Sequence, residues 1–166
     1  MSEKNKVLVI GGGYAGVTAA NRLLRRSDVT VTLINPRPRL VERIRLHQLV
    51  GGSDDAVVDL GEVLDERIQV VVGTVTRIDA DERHVRLESG RGLGFDHLIY
   101  AVGSGSADPQ VPGAAEFAYP IATLEEAERL RSAVAAVSVT SEITVVGGGP
   151  SGIEVAAELA EQGSSR

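Results

Sequence analysis

Two glycine-rich segments carry the residues whose spacing is suited to chemistry. In the first, Gly11, Gly13 and Gly16 form the pattern G-x-G-x-x-G directly after the apolar run Lys6–Ile10. The first glycine of this pattern permits a tight turn, the second lets backbone approach a pyrophosphate, and the third lets the helix pack closely on the strand. A helix that begins there presents N–H groups and its positive dipole end to a phosphate. Residues 11–16, the first glycine turn, therefore predict a nucleotide-binding site.

The second segment repeats the first. Gly147, Gly149 and Gly152 have the same spacing and follow another apolar run, and we call residues 147–152 the second glycine turn. The identical pairs are Val9 and Val145, Gly11 and Gly147, Gly12 and Gly148, Gly13 and Gly149, Gly16 and Gly152, Ala20 and Ala156, and Leu23 and Leu159. Because the match extends from the glycines into the flanking apolar positions, it indicates duplication of a strand–helix unit.

A residue that binds ribose is expected at the end of the second strand, roughly twenty residues after the glycine turn. Asn35 occupies that position after the first turn, where an acid is usual. An alternative is that Asn35 only opens the Asn-Pro turn that follows it. After the second turn the corresponding residue would lie near position 171 by the same spacing, about five residues past the last residue of the sequence.

The residues around the first glycine turn predict a β-α-β unit. Lys6–Ile10 and Val29–Ile34 are short apolar runs, and Tyr14–Arg26 between them has small and apolar residues at helical spacing. Such a unit places its two strands parallel and buries them. A shorter helix is predicted over Leu40–Leu49.

Further along the chain, short apolar runs predict a small antiparallel meander. The runs are Ile68–Val72, Val75–Asp79, His84–Glu88 and, after the break "ESGRGLG", Phe95–Val102. Residues 103–120 are rich in Gly, Pro and Ser and predict a linker.

A capping-box pattern at residues 123–126 opens a predicted helix that ends near Val137. A buried strand over Glu142–Val146 and a helix over Ser151–Gln162 follow. The predicted fold class is α/β, with a Rossmann-like parallel sheet, helices on both its faces, an inserted antiparallel meander and the first strand–helix unit of a second Rossmann domain. The predicted domain bounds are 1–110, 111–140 for linker and helix, and 141–166 for the incomplete second domain.

Composition and charge exclude several function classes. The net charge of −6 disfavours binding to nucleic acid or to an anionic membrane. The absence of Cys excludes a disulfide, a thiolate metal site and a cysteine nucleophile within these residues, and it is compatible with the cytoplasmic location that we expect. His47, His84 and His97 lack metal-ligand spacing, so no metal site is predicted.

The sequence resembles the FAD-dependent pyridine-nucleotide oxidoreductases with two dinucleotide-binding domains. Three segments carry the resemblance: "VIGGGYAG", "FDHLIYAVGS" and "VVGGGPSGIEVAAEL". They lie in the order in which the family places its FAD turn, the strand that returns to the flavin, and its NAD(P)H turn. From the first to the last, they span nearly the whole chain.

For the FAD site, the resemblance implies that Gly11, Gly13 and Gly16 hold the pyrophosphate and that Asn35 contacts the adenosine ribose. It also implies that the backbone of Val75 meets the adenine. Ala101 and Gly103 would close near FAD, although Val102 replaces the usual Thr of that segment and removes a hydroxyl contact.

For the second site, the resemblance implies that Gly147, Gly149 and Gly152 hold the phosphates of NAD(P)H. Glu154 stands where family members place an acid near the nicotinamide, and this is the one catalytic residue predicted. An exposed helix glutamate without such a role is the alternative.

The segment "RPRLVERIRLHQLVGG" lies where the disulfide reductases of this family carry a cysteine pair, and it contains no Cys. The resemblance therefore implies direct transfer from flavin to acceptor, as in the type II NADH dehydrogenase branch. Arg43 or His47 could contact the cofactor or acceptor. Alternatively, the segment is a basic amphipathic helix at the surface.

The function that follows is transfer of hydride from NAD(P)H to FAD and of electrons to a quinone or other small acceptor. The sequence ends one helix into the second unit, so we expect a fragment of a longer enzyme. The resemblance leaves a homodimer and contact with a membrane surface open. The alternatives are an NAD-dependent dehydrogenase with a single Rossmann domain, or a nucleotide-binding fragment without activity.

Overall fold

A computed structural model describes residues 4–106, 110–138 and 141–164. The elements in chain order are β1 (Asn5–Ile10), α1 (Tyr14–Leu23), β2 (Val29–Asn35), β3 (Arg39–Val41), a 3-10 helix (Arg43–Arg45), α2 (Leu46–Gly51), β4 (Val57–Asp59), α3 (Leu60–Val63), β5 (Gln69–Val72), β6 (Val75–Asp79), β7 (His84–Leu87), β8 (Gly92–Gly94), β9 (His97–Tyr100), α4 (Ala114–Phe117), α5 (Leu124–Ala136) and α6 (Pro150–Ser164). The chain divides into two compact units. The first unit holds Met1–Val41 and Val57–Gly103, and the second holds Glu42–Ala56 and Ser104–Arg166.

The first unit is built on a four-stranded parallel sheet. Its strand order is β5-β2-β1-β9, so the first, second, third and fourth parallel strands lie in the Rossmann order 3-2-1-4. Ile10 is level with Ile34 on one side and with Tyr100 on the other. The carboxyl ends of β1, β2 and β9 therefore reach the same edge of the sheet. The predicted β-α-β unit and Rossmann-like sheet are confirmed.

The two faces of this sheet pack against different partners. One face buries Val9 and Leu33 against Val17 and Ala20 of α1 and against Leu60 of α3. Side chains alternate between faces along a strand, so their neighbours must pack on the other side. That face buries Leu8, Ile10, Ile34 and Val71 against Val85 and Leu87 of β7. Thus strand β7 covers the second face in this unit, where the sequence predicted helices.

The antiparallel meander is present, but its members differ from the prediction. Strands β6, β7 and β8 form it in that order. Two of the runs predicted for it lie in the parallel sheet instead. Ile68–Val72 contains β5, which pairs with β2, and Phe95–Val102 contains β9, which pairs with β1. The third strand of the meander is β8, within the segment predicted as a break. Apolar spacing identified most of the strands, but it does not encode which strand each one pairs with.

The helix predicted over Leu40–Leu49 is partly wrong. Leu40 is buried within β3, which pairs antiparallel with β4 in the first unit. The α-helix begins only at Leu46, after the 3-10 helix. Strand pairing fixes an extended backbone up to Val41, so a helix cannot start at Leu40.

In the second unit, α5 begins with the predicted capping box. The Thr123 hydroxyl oxygen accepts from the Glu126 N–H at 3.3 Å, and the Glu126 carboxylate accepts from the Thr123 N–H at 2.9 Å. Burial raises the pKa of Glu126, but hydrogen bonds from Ser106, Thr123 and Ala122 together bring it below its ordinary value. The reciprocal bonds satisfy N–H groups that the helix itself leaves unpaired.

The strand predicted over Glu142–Val146 is not formed, although the helix after it is. No described strand pairs with these residues, and Val146 is 93% exposed. A strand needs a neighbour to pair its backbone groups, and apolar sequence alone does not supply one. Helix α6 satisfies its backbone internally and forms over Pro150–Ser164.

Across the described ranges, no helix combines the length and the apolar character needed to cross a bilayer.

Candidate nucleotide-binding site

The first glycine turn lies at the carboxyl edge of the parallel sheet and packs tightly there. Gly11 has a φ of +105°, and a Cβ at this position would overlap the carbonyl oxygen of Ala101. A Cβ on Gly16 would overlap the carbonyl oxygen of Gly11. Both positions therefore require glycine, one for the turn after β1 and one for the approach of α1.

Gly13 differs from its neighbours because the space around it is open. Within the part of the chain that the structure describes, a Cβ built on Gly13 meets nothing within 4 Å. Gly13 is also the N-cap of α1 and offers no side chain to the N–H groups of the first helical turn. The opening thus lies where backbone N–H groups and the helix dipole favour an anion.

Asn35 ends β2 beside this turn and is only 9% exposed. Its Oδ1 accepts from the Gly12 N–H at 2.8 Å. Its Nδ2 donates to the carbonyl oxygens of Arg37 at 2.8 Å and Arg39 at 3.1 Å. These bonds agree with the alternative in which Asn35 opens the Asn-Pro turn. A contact with ribose stays a prediction.

A cavity of about 440 Å³ adjoins the turn within the first unit. It brings together three residues predicted for the FAD site: Gly11, Asn35 and Val75. The other lining residues are Ile10, Ile34, Pro36, Gly73, Thr74, Thr76, Arg77, Ile78, Tyr100 and Val102. We call this cavity the carboxyl-edge pocket, since it lies where the parallel strands end, the usual ligand position in such sheets.

Ala101 and Gly103 follow β9 at the same edge. The Ala101 N–H donates to the Ile10 carbonyl oxygen at 2.8 Å, continuing the pairing of β9 with β1. Its own carbonyl oxygen occupies the space that a side chain on Gly11 would need. Gly103 has a φ of +72°. The structure thus gives Ala101 a packing role at the turn, and the predicted approach of both residues to FAD stays untested.

The second glycine turn, in the second unit, has the same local shape. Gly147 has a φ of +119°, and a Cβ on Gly152 would overlap the Gly147 carbonyl oxygen. Gly149 directly precedes α6 and is open, with no described residue within 4 Å of a Cβ placed there. The three glycines predicted to hold the NAD(P)H phosphates therefore repeat the geometry of the first turn.

Glu154 lies on α6 and approaches a residue from α2. Its Oε2 is 3.4 Å from His47 Nδ1, and the side chains are 49% and 18% exposed. The alternative of a basic surface helix expected His47 to face solvent, but its side chain is mostly buried and lies beside Glu154. Arg43 is exposed and donates through Nη1 to the Ser104 carbonyl oxygen at 2.6 Å.

Sequence reasoning missed Gly12 and Gly51. A Cβ on Gly12 would lie 2.8 Å from Asn35 Cγ, and one on Gly51 would overlap Glu158. The pattern G-x-G-x-x-G leaves position 12 open to any residue, so the one hint in the sequence is that a glycine occupies it. Nothing local in the sequence identifies Gly51, because its neighbour comes from α6.

The 3-2-1-4 parallel sheet, with a glycine turn at the carboxyl end of its first strand, defines an α/β protein of the Rossmann dinucleotide-binding type. The chain belongs to the pyridine nucleotide-disulphide oxidoreductase family, which it matches over residues 5–165. This membership confirms the resemblance that the two glycine turns indicated.

Two curated relatives carry the comparison further. The NADH dehydrogenase-like protein YutJ of Bacillus subtilis is 30% identical over 160 residues, covering 94% of this chain and 45% of YutJ. The type II NADH:quinone oxidoreductase Ndh of Mycobacterium tuberculosis is 29% identical over 186 residues, covering 95% of this chain and 38% of Ndh. The chain thus spans less than half the length of these relatives.

Among solved structures, the NAD-dependent persulfide reductase from A. fulgidus is similar to this chain with a TM-score of 0.78 and 28% sequence identity. The similarity covers 95% of this chain and 32% of the reductase. This likeness agrees with the Rossmann-type arrangement of the first unit.

Proposed function

We propose that the chain binds FAD at the first glycine turn and NAD(P)H at the second, within an NADH dehydrogenase-like flavoenzyme. The acceptor would be a quinone or another small molecule. Support for the quinone comes from relatives named as type II NADH:quinone oxidoreductases. The 166 residues contain no Cys, so they contribute no redox disulfide to the transfer.

The observation that carries this proposal is the open space at Gly13. Tight packing surrounds Gly11 and Gly16, so the openness of Gly13 is not general looseness of the turn. A pyrophosphate would fit there against the backbone and the start of α1. The carboxyl-edge pocket continues from Gly11 to Asn35 and Val75 and offers room for the adenosine half of FAD.

The second turn supports the NAD(P)H assignment by the same argument. Gly149 is open at the start of α6, Gly152 packs on the Gly147 carbonyl oxygen as Gly16 packs on that of Gly11, and Gly147 repeats the positive φ of Gly11. FAD, when bound, would supply the capacity to take hydride from NAD(P)H and release electrons to the acceptor. The chain would supply orientation and charge, and the Glu154 carboxylate, held near His47, is its candidate at the nicotinamide.

The direct test is reconstitution of the purified chain with FAD. We expect flavin absorbance to remain after desalting and to bleach when NADH is added under argon. Retained flavin without bleaching would keep FAD binding and reject electron entry in this chain, leaving the binding-fragment alternative. A chain that stays colourless after FAD treatment and binds NADH favours a single-Rossmann dehydrogenase.

A matched pair of variants separates binding from folding. Asp is a preferred N-cap residue, so Gly13→Asp should keep the stability of the chain while placing bulk and negative charge in the proposed phosphate position. We expect at least tenfold weaker FAD binding, or about 1.4 kcal/mol, and unchanged NADH binding. Gly149→Asp should instead weaken NADH binding and leave FAD binding unchanged. Unchanged FAD binding by Gly13→Asp would reject the site.

A further inference from the structure

We propose that Asn35 is a positioning residue that holds the first glycine turn in place. Its side-chain amide donates two hydrogen bonds to backbone carbonyl oxygens, which the acid usual at this position could not donate. The inference deepens the proposed FAD site and rests on it for its ligand consequences. Its structural part concerns the chain without cofactor and can be tested separately.

The hydrogen-bond capacity of the Asn35 side chain matches the three backbone groups around it. Gly12 presents an N–H, which Oδ1 accepts at 2.8 Å in a buried environment. Arg37 and Arg39 present carbonyl oxygens, and each receives a bond from Nδ2. A side-chain amide has two donor hydrogens on nitrogen, so both are used.

A carboxylate cannot make the same set of bonds. Ionised Asp only accepts, so it would keep the bond from Gly12 and would face the carbonyl oxygens of Arg37 and Arg39 without a proton to donate. An Asp side chain would therefore lose two hydrogen bonds and would place negative charge against two carbonyl oxygens, which is unfavourable in this part-buried position. The residue that the ribose prediction treated as a departure is therefore the one that this loop geometry requires.

Asn35 contacts the glycine turn through its side chain and the end of β5 through its backbone. Its amide packs against Gly12, where a Cβ would lie only 2.8 Å from Asn35 Cγ. Its backbone oxygen accepts from the Gly73 N–H at 2.8 Å at the end of β5. The side chain thus fixes where the Gly12 backbone lies, and with it the entry to the open position at Gly13.

The consequence for FAD is indirect. With both amide hydrogens used, Asn35 has only the second lone pair of Oδ1 to offer a ribose hydroxyl. We therefore expect Asn35 to act on affinity through the turn, equally for FAD and for an analogue that lacks the adenosine 2′- and 3′-hydroxyls.

The experiment compares Asn35→Asp and Asn35→Ala with the wild-type chain, and uses Asn21→Asp as the matched control. Asn21 also bonds two backbone groups, Val63 O and the Asp65 N–H, but it lies outside the turn. Amide hydrogen exchange at Gly12 is measured without cofactor, and the dissociation constants of FAD and its dideoxy analogue are measured by fluorescence.

We expect at least about tenfold faster Gly12 exchange in both Asn35 variants and no change in Asn21→Asp. Without cofactor, the wild-type chain should be the most stable, Asn35→Ala less stable and Asn35→Asp the least stable, because only the last forces a carboxylate against two carbonyl oxygens. FAD and its analogue should both bind about tenfold or more weakly to the Asn35 variants, with their affinity ratio unchanged.

Three results would overturn the proposal. One is slow Gly12 exchange in Asn35→Ala, which would show that the side chain does not hold the turn. Another is FAD binding by Asn35→Asp as tight as by wild type, as expected of a ribose-binding acid. The third is an affinity ratio that collapses toward one in Asn35→Ala, which would show direct contact with the hydroxyls. If Asn35→Asp does not fold, Asn35→Ala still decides the exchange and ratio tests.

Failure of the wild-type chain to bind FAD would reject the proposed function, whereas Gly12 exchange would still decide whether Asn35 positions the turn.

Discussion

The first and second glycine turns have nearly the same local geometry but very different surroundings. Gly11 and Gly147 both have positive φ angles, +105° and +119°. The helix after each turn starts with the same bond, from Val17 N to Gly13 O at 3.0 Å and from Ile153 N to Gly149 O at 3.1 Å. The turn itself is thus specified by residues within a short stretch of chain.

The surroundings differ because, among the described residues, the first turn is anchored to a sheet and the second is not. Gly11 packs against the Ala101 carbonyl and Gly12 against Asn35, whereas no atom of the described residues lies within 4 Å of a Cβ placed on Gly147 or Gly148. The strand before the first turn is buried, but Val145 and Val146 before the second are exposed. The same motif is therefore a rigid part of a core in one place and a local turn in the other.

The largest expected difference between the turns concerns their third glycines. In Gly16→Ala, the new Cβ meets backbone that the sheet holds in place, and we expect a loss of about 3 kcal/mol, the upper end for overpacking. Gly152→Ala creates the same overlap, but residues 141–148 have no described strand partner and can shift. We expect a change below about 1 kcal/mol there, since Ala also favours the helix.

Urea unfolding followed by circular dichroism measures both free energies. Equal losses in Gly16→Ala and Gly152→Ala would break the comparison, because they would show that the second turn is held as firmly as the first.

The middle glycines should show a smaller difference of the same sign. In Gly12→Ala, the Cβ would press on the Asn35 side chain, whose three hydrogen bonds prevent it from moving away. We expect a loss of about 1–2 kcal/mol and weaker FAD binding. Gly148→Ala has open space and should stay within about 0.5 kcal/mol of wild type.

Differential scanning fluorimetry and FAD titration of these two variants provide the measurement. A neutral Gly12→Ala would indicate that Asn35 can move, and would contradict the role proposed for it.

The contrast also explains which parts of the fold the sequence predicts. Strands β1 and β2 were predicted to within one residue, and the helix between them was predicted with the correct start but an end at Arg26 instead of Leu23, because apolar runs and glycines specify these elements locally. The run at Glu142–Val146 has the same pattern as β1 but forms no strand, since a strand depends on a partner that no local pattern encodes. Misassignment of β5 to the meander has the same cause.

For the site, the sequence predicted the positions of the glycines but not all their contacts. Motif spacing identified Gly11, Gly13 and Gly16, because each answers a requirement of the turn. The bonds of Asn35 to Gly12 and Arg39 go to backbone groups, which look alike in every residue type. The His47–Glu154 pair joins two helices far apart in sequence, so only a folded chain reveals it.

If the helices of the second unit are held by local interactions such as an N-cap, removing a cap should measurably lower the free energy of unfolding. Thr123→Ala deletes the hydroxyl that accepts from Glu126 at the start of α5. We expect a loss of about 1 kcal/mol, the usual cost of an N-cap, with FAD binding unchanged. Thr123→Ser keeps the hydroxyl and serves as the control in urea unfolding. A neutral Thr123→Ala would mean that packing, and not the cap, holds this helix.

The smallest expected effect concerns the surface ion pair between Asp65 and Arg67 in the first unit. It tests whether the stability of this unit comes mainly from packing at the glycine turn or from surface charge. Asp65 accepts from Arg67 through Nε and Nη2, both at 2.8 Å. These bonds, together with one from the Arg67 N–H, lower the pKa of Asp65 to about 2.

Because this folded-state pKa lies below the unfolded value of about 3.9, the stabilisation is complete above about pH 4 and is lost as pH falls toward about 2. Asp65→Asn should therefore have a slightly lower urea midpoint than wild type at about pH 7, and the two midpoints should converge near about pH 2. The difference at neutral pH should be smaller than that of Gly12→Ala, because exposed pairs contribute little. A difference that stays constant with pH would show that Asp65 acts through shape rather than charge.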